Sequence, residues 1–147
     1  MDECLTCKSN QGIKRISPGE QIYSGQFWNV EHAYPSGLLG WLVIVLKRHT
    51  DELHGLLLEE WQELSEINYR VINLLHKVLE TKKEYICCFA EGEGFKHIHF
   101  HIIPKSNKFD ANLGGTKSFL YLKKGVKEPI KKEEVIKFCS LLKEEIK

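Results

Sequence analysis

Three histidines stand two residues apart in the stretch GFKHIHFHIIPK, residues 94–105: His97, His99 and His101, with Ile98, Phe100 and Ile102 between and after them. Successive side chains of a β-strand point to opposite faces, so residues two apart share a face at roughly 6.5–7 Å spacing. The alternation predicts a strand that buries the three apolar residues and displays three imidazoles on its other face. Two chemistries suit such a display. Residues i and i+2 of a strand can both reach one zinc ion, so the triplet can form a catalytic metal site. Alternatively, a neutral imidazole, with an ordinary pKa of about 6.5, is a nucleophile near physiological pH. It can attack phosphorus and carry the transferred group, splitting one hard displacement into two easier ones. A half-exposed strand with polar rings by chance is the third reading, and it accounts poorly for strict alternation.

The residues just ahead of the triplet favour phosphate. Gly92 and Gly94 flank Glu93 in AEGEGF. Backbone without side chains can turn its N–H groups toward an anion. A catalytic zinc ion needs open coordination but no such cradle.

A second cluster sits near the start of the chain, Cys4 and Cys7 in CLTC. Cys-x-x-Cys alone serves redox chemistry or zinc. It does not lie at a strand-to-helix turn of a βαβ unit, which weakens the redox reading. Zinc requires two more ligands from elsewhere. A flexible arm with free thiols is the alternative.

These residues must be positioned by ordinary elements. Ile22 to Val30 is aromatic and β-branched and reads as a strand, bulged at Gly25. YPSGLLG is a turn signal, and Leu42 to Leu46 is the next strand. The apolar run from residue 37 to 46 falls well short of the roughly 20 residues a membrane helix needs. From Asp51 to Lys82 apolar residues recur at three- and four-residue spacing, from Leu53 and Leu57 to Val78, which predicts one long helix with Thr50 or Asp51 as its N-cap. His54 and His76 then lie on its surface. Tyr85 to Ala90 reads as a short strand in which Cys87 and Cys88 are small strand residues. His97 to Ile103 is the histidine strand, and Ser118 to Leu122 is an edge strand. Lys131 to Ile146 is a C-terminal helix with Cys139 on its apolar side. Consecutive strands around one long helix give an α+β class with an antiparallel sheet of about five strands.

The 147 residues suit a single domain, 1–147, with an arm over 1–20 and a tail over 108–147. A net charge of +1 offers no strong field for nucleic acid or an anionic membrane. The opening MDECLTCKSN lacks the apolar core of a signal peptide, so a cytoplasmic location with reduced thiols is expected.

HIHFHII resembles the histidine-triad motif, His-φ-His-φ-His-φ-φ with φ apolar, of the HIT superfamily of nucleotide hydrolases and transferases. GWLVIVLKRHTDELHGLLLEEWQEL is similar to that family's segment of strand, basic-basic-His and long helix. The resemblance implies a HIT-like fold and a homodimer acting on an adenine nucleotide. The substrate would be a dinucleoside polyphosphate, such as diadenosine tetraphosphate, or a nucleoside phosphoramidate or adenylate. It implies His99 as the nucleophile that takes the nucleotidyl group, with no metal in the chemical step. His101 would hydrogen-bond the phosphate, and the backbone at Gly92, Glu93 and Gly94 would hold it. An acidic residue for the ribose would be Glu31, with His32 near the nucleoside end. In members with an N-terminal cysteine pair the resemblance implies structural zinc on Cys4, Cys7, His49 and His97. The family usually carries Gly-Gln-Ser where this chain has Gly92, Glu93 and Gly94; the Glu93 carboxylate should turn away or pair with Lys96 or Lys105. Two rivals stand beside this reading: a non-catalytic nucleotide-binding module, and a zinc-dependent hydrolase using the triplet as its metal site.

Overall fold

The computed structural model describes residues 3–146. A short helix α1 (Leu5–Asn10) leads into an extended arm. The sheet comprises β1 (Tyr23–Ser24), β2 (Trp28–His32), β3 (Leu42–Leu46), β4 (Lys83–Cys87) and β5 (His99–Lys105), with the long helix α2 (Leu58–Leu79) between β3 and β4 and α3 (Lys132–Glu145) near the end of the chain. Strand order is β1-β2-β3-β5-β4, and every neighbour pair is antiparallel. The α+β class, the five antiparallel strands and both helices match the expectation.

The histidine strand is internal, clamped between β3 and β4. Ile44 pairs with Phe100 and Leu42 with Ile102, and on that face they join Leu64, Ile67, Val71 and Leu75 of α2 in the main apolar cluster. Val135, Phe138, Cys139 and Leu142 of α3 belong to the same cluster. On the opposite face Val45 pairs with His99 and Val43 with His101, while Glu31 pairs with Val43. The strand period of two therefore separates oil from imidazole as the alternation requires.

Five expectations need correction, the histidine strand first: expected over 97–103, it is His99–Lys105, and His97 stands just ahead of it. Ile22 to Val30 is a hairpin, not one bulged strand. The chain folds back after Ser24, where the Glu63 carboxylate of α2 accepts the N–H groups of Gln26, Phe27 and Trp28 at 2.9–3.0 Å. A β-carbon on Gly25 would stand 2.4 Å from that carboxylate. Next, α2 begins at Leu58, and Leu57 is its N-cap. Leu53–Gly55 forms a separate 3-10 turn that carries the exposed His54. Glu60 fixes the start, accepting the Leu57 N–H at 2.7 Å and holding Arg48 through two contacts of 2.8 Å. The strand expected over 85–90 is Lys83–Cys87. Finally, the edge strand over 118–122 is part of a 3-10 helix, Gly115–Leu122, burying Ser118 and Tyr121. Their spacing is the period of three that a 3-10 helix imposes.

No described helix is long and apolar enough to cross a membrane.

Candidate active site and metal centre

Cys4, Cys7, His49 and His97 converge, with their ligand atoms all within 4.8 Å of one another. Cys7 Sγ lies 3.4 Å from His49 Nδ1 and 3.5 Å from His97 Nδ1; Cys4 Sγ lies 3.6 Å from His97 Nδ1, and the two Nδ1 atoms are 3.3 Å apart. A tetrahedral zinc ion with bonds of about 2.3 Å to sulfur and 2.0–2.1 Å to nitrogen sets its ligands roughly 3.6 Å (S to N) and 3.3 Å (N to N) apart. The donor set fits that polyhedron. The far side of each ring fits as well. His97 Nε2–H donates to the Leu46 carbonyl at 2.6 Å, and His49 Nε2 contacts the Asp51 carboxylate at 3.1 Å. Such outer partners turn the bare Nδ1 of each imidazole inward. Burial and the neighbouring Cys4 sulfur push the Cys7 thiol up to about 11, so two thiolates at this point call for a cation.

His99 and His101 open onto a cavity of about 440 Å³ on the same face of the sheet. The His99 Nδ1–H donates to the His97 carbonyl at 2.8 Å. This leaves Nε2 unprotonated; it has no protein partner among the described residues and is not sealed from the cavity. Burial, acting against that hydrogen bond, holds the ring below its ordinary pKa. His101 is fixed the other way round. Trp41 Nε1–H donates to His101 Nδ1 at 3.0 Å, so the proton of His101 sits on Nε2. Burial, with the neighbouring His99 adding to it, pushes His101 down to about 3. The two rings meet edge to face with centroids 4.9 Å apart. One offers a lone pair and the other an N–H.

The remaining walls are mostly apolar: Val43, Val45, Phe89, Phe95 and Phe119 among them. No lysine or arginine lines the cavity among the described residues. The N-terminal arm supplies one wall through Thr6, Ser9, Asn10, Ile16 and Ser17. Several contacts besides the Cys4/Cys7 cluster hold the arm, Asn10 Nδ2–H donating to the Leu46 and Lys47 carbonyls at 3.1 and 3.3 Å among them. Leu5 N–H donates to the Gly94 carbonyl at 3.0 Å, and Gly94 adopts φ +80, where an added β-carbon would meet Leu5 at 2.9 Å. Arg15 clamps the buried Glu31 carboxylate with contacts of 2.6 and 2.9 Å, and the same pairing raises the Arg15 pKa.

The structure brings the expected residues together unevenly. Gly92, Glu31, His32, His99 and His101 line the cavity. Glu31 is already engaged by Arg15. His32 has both nitrogens occupied: Nδ1–H donates to the Ala33 carbonyl at 2.8 Å and Nε2 accepts the Gly40 N–H at 2.9 Å. It shows a substrate no free nitrogen, and burial pushes it down to about 4. Glu93 is exposed and Gly94 faces the arm; neither lines the cavity. Glu93 turns outward without pairing to Lys96 or Lys105 among the described residues, and Lys105 lies instead over the Phe109 ring. Trp41, Arg15, Asp51 and Phe119 are site residues that the sequence reading did not single out. Only Asp51, two residues beyond His49, carried a local hint.

A family model described as HIT domain matches residues 33–108. No curated protein matches the sequence. Among solved structures, a Zn-bound histidine triad family protein from Mycobacterium smegmatis is similar with a TM-score of 0.67 and 20% identity, over 97% of this chain and 92% of that one. A Hit-like protein involved in cell-cycle regulation from Bartonella henselae gives 0.68 at 12% identity, covering 95% and 94%. A Plasmodium falciparum diadenosine triphosphate hydrolase, in complex with Cyclomarin A, gives 0.64 at 15% identity, covering 86% and 76%. At these identities the likeness speaks for the fold.

Proposed function

The chain belongs to the HIT domain family, and from that premise we propose that it is a nucleotide phosphohydrolase or nucleotidyltransferase working through a nucleotidyl-histidine. The observation that carries the reading is His99: its Nδ1 proton is held by the His97 carbonyl and its Nε2 lone pair faces the cavity. In the first step Nε2 attacks the phosphorus of the bound nucleotide. A P–N bond forms, the bond to the leaving group breaks, and the leaving group departs with its electron pair. The imidazole then carries positive charge, which the His97 carbonyl stabilises through Nδ1–H. His101 Nε2–H donates a hydrogen bond to a phosphate oxygen as charge develops there. Backbone at Gly92 supplies a further contact. Water attacks the same phosphorus in the second step, releasing the nucleotide and restoring His99.

Dinucleoside polyphosphates, phosphoramidates and adenylates are the substrate classes this chemistry serves; the Plasmodium falciparum relative supports an adenine nucleotide. Cys4, Cys7, His49 and His97 would hold structural Zn²⁺, which supplies charge neutralisation for two thiolates and a fixed anchor for the arm. The arm and the C-terminal tail, both outside the matched residues, would complete one domain, the tail by seating α3 in the main cluster. A homodimer joined edge to edge is supported by β4, which has a single strand neighbour and carries the exposed Ile86, with exposed Phe89 two residues beyond its end.

The test is acid quenching with labelled substrate followed by intact-mass and peptide analysis. A nucleotidyl adduct on His99 is expected. Absence of any adduct across polyphosphate, phosphoramidate and adenylate substrates would favour a binding module. A metal content that disappears when His99 is replaced would favour the zinc-hydrolase rival.

A further inference from the structure

The proton of His101 is placed by a residue outside the histidine triplet. Trp41 precedes β3, and its side chain is wholly buried. Its indole N–H is a donor with no acceptor capacity, and it points at His101 Nδ1 from 3.0 Å. The rings stand perpendicular, and Phe119 packs edge-on against both. A proton on Nδ1 would face the indole proton across a sealed contact, so the imidazolium form of His101 is excluded by geometry as well as by burial. Other neighbours offer no remedy. Val43 and Cys87 are its cross-strand partners. Cys87 carries a thiol that burial pushes up, and His99 adds to the cost of charging His101. Glu31, the carboxylate on the same face, lies two strands away and is bound by Arg15. No lysine or arginine lines the cavity among the described residues.

A neutral imidazole held this way gives a hydrogen bond but not a proton, since loss of Nε2–H would create an imidazolate. We propose that Trp41 is a positioning residue that locks His101 as a non-acidic donor and thereby restricts the enzyme to leaving groups that depart as anions. The favoured substrates are phosphoanhydrides, whose P–O bond breaks to release a phosphate or carboxylate anion carrying the bonding pair. Phosphoramidates are disfavoured, because cleavage of a P–N bond requires the departing nitrogen to gain a proton that this site does not supply. The inference rests on the nucleotidyl-His99 reading and narrows it.

The experiment uses the metal-loaded full chain and a series of adenosine 5′-phosphate aryl esters that differ in phenol acidity but little in size. The readout is kcat/KM, which reports formation of the adduct even where its hydrolysis limits kcat. Wild-type protein should lose about tenfold or more in kcat/KM for each two-unit rise in leaving-group pKa. Adenosine phosphoramidate should fall on the slow side of that line. Trp41→Phe, which removes the donor, should flatten the slope, and Trp41→His, which restores a ring N–H, should return part of it. Nitrogen-15 spectra of the wild type should show His101 protonated on Nε2 only, from neutral pH down to pH 5, a measurement that stands even where a Trp41 variant folds poorly. A flat leaving-group dependence in the wild type, or a proton on His101 Nδ1, would overturn the proposal. An unchanged slope in folded Trp41→Phe would remove Trp41 from it. Failure to form an adduct with any ester would instead sink the nucleotidyl-His99 reading on which it stands.

Discussion

His97 serves two sites at once: its main-chain carbonyl accepts the Nδ1–H of His99 at 2.8 Å, while its own ring faces Cys4 and Cys7 at 3.6 and 3.5 Å. The residue that closes the cysteine cluster therefore also sets the tautomer of the proposed nucleophile. The cysteine–histidine cluster and the cavity adjoin at the start of β5 but share no side chain, so chemistry and scaffold can be separated by mutation.

Replacing His99 with Ala should abolish the nucleotidyl adduct and lower turnover by on the order of 10³-fold or more, as removal of a nucleophile does. Zinc content, measured by elemental analysis, should stay at the wild-type value. Joint loss of zinc and turnover would show that the two sites are not separable.

Cys7→Ser, or chelation, should release the arm. Thr6, Ser9, Asn10, Ile16 and Ser17 form one cavity wall, so nucleotide affinity should fall together with protection of the first 20 residues from protease. Titration calorimetry with a non-hydrolysable nucleotide and limited proteolysis read the two effects. Unchanged affinity in a metal-free protein would detach the arm from substrate binding.

Arg15→Ala should strand the Glu31 carboxylate, whose side chain is 8% exposed, against the cavity proposed to take a nucleotide phosphate. Removing one partner of such a buried pair costs about 3–5 kcal/mol, less here because Arg15 is a third exposed. Nucleotide affinity should drop as well. Adding Glu31→Gln should recover much of both losses, read by urea unfolding and calorimetry.

His32, held neutral with a folded pKa of about 4, makes stability depend on acid. The unfolded chain takes up a proton as pH falls through about 6.5, while the native ring does not until about 4, so stability is full above that window and is lost on acidification. The His32 contribution to that loss should reach about 2 kcal/mol at pH 5. His32→Phe should be less stable at pH 7, because the Gly40 N–H loses its acceptor, yet show a shallower decline to pH 5 in urea midpoints. Parallel declines would assign the acid sensitivity elsewhere.

The sequence disclosed what is periodic and concealed what is long-range. Alternation over residues 97–103 revealed which side chains face the core, because a strand has only two faces. The stripe from Leu64 to Leu75 revealed α2, but Leu53 and Leu57 share its spacing without belonging to it. Glu60 and Arg48 decide where that helix starts, and their partnership leaves no mark in a hydropathy pattern. Ser118 and Tyr121 show a period of three within a run too short to tell a 3-10 helix from a strand. Trp41 was hidden by its setting, since an indole in an apolar run reads as packing and its N–H has an evident purpose only beside His101. Arg15 and Glu31 are 16 residues apart and meet only once the arm has crossed the sheet.

The four atoms of the cysteine–histidine cluster come from three stretches of chain, with His49 and His97 lying 42 and 90 residues beyond Cys7. They meet only when β3 and β5 are aligned with Val45 opposite His99. A slip of one residue would carry His97 to the other face of the sheet and leave an incomplete polyhedron. An ion bound there would act as a proofreader of assembly, rewarding the one alignment that also aims His99 into the cavity.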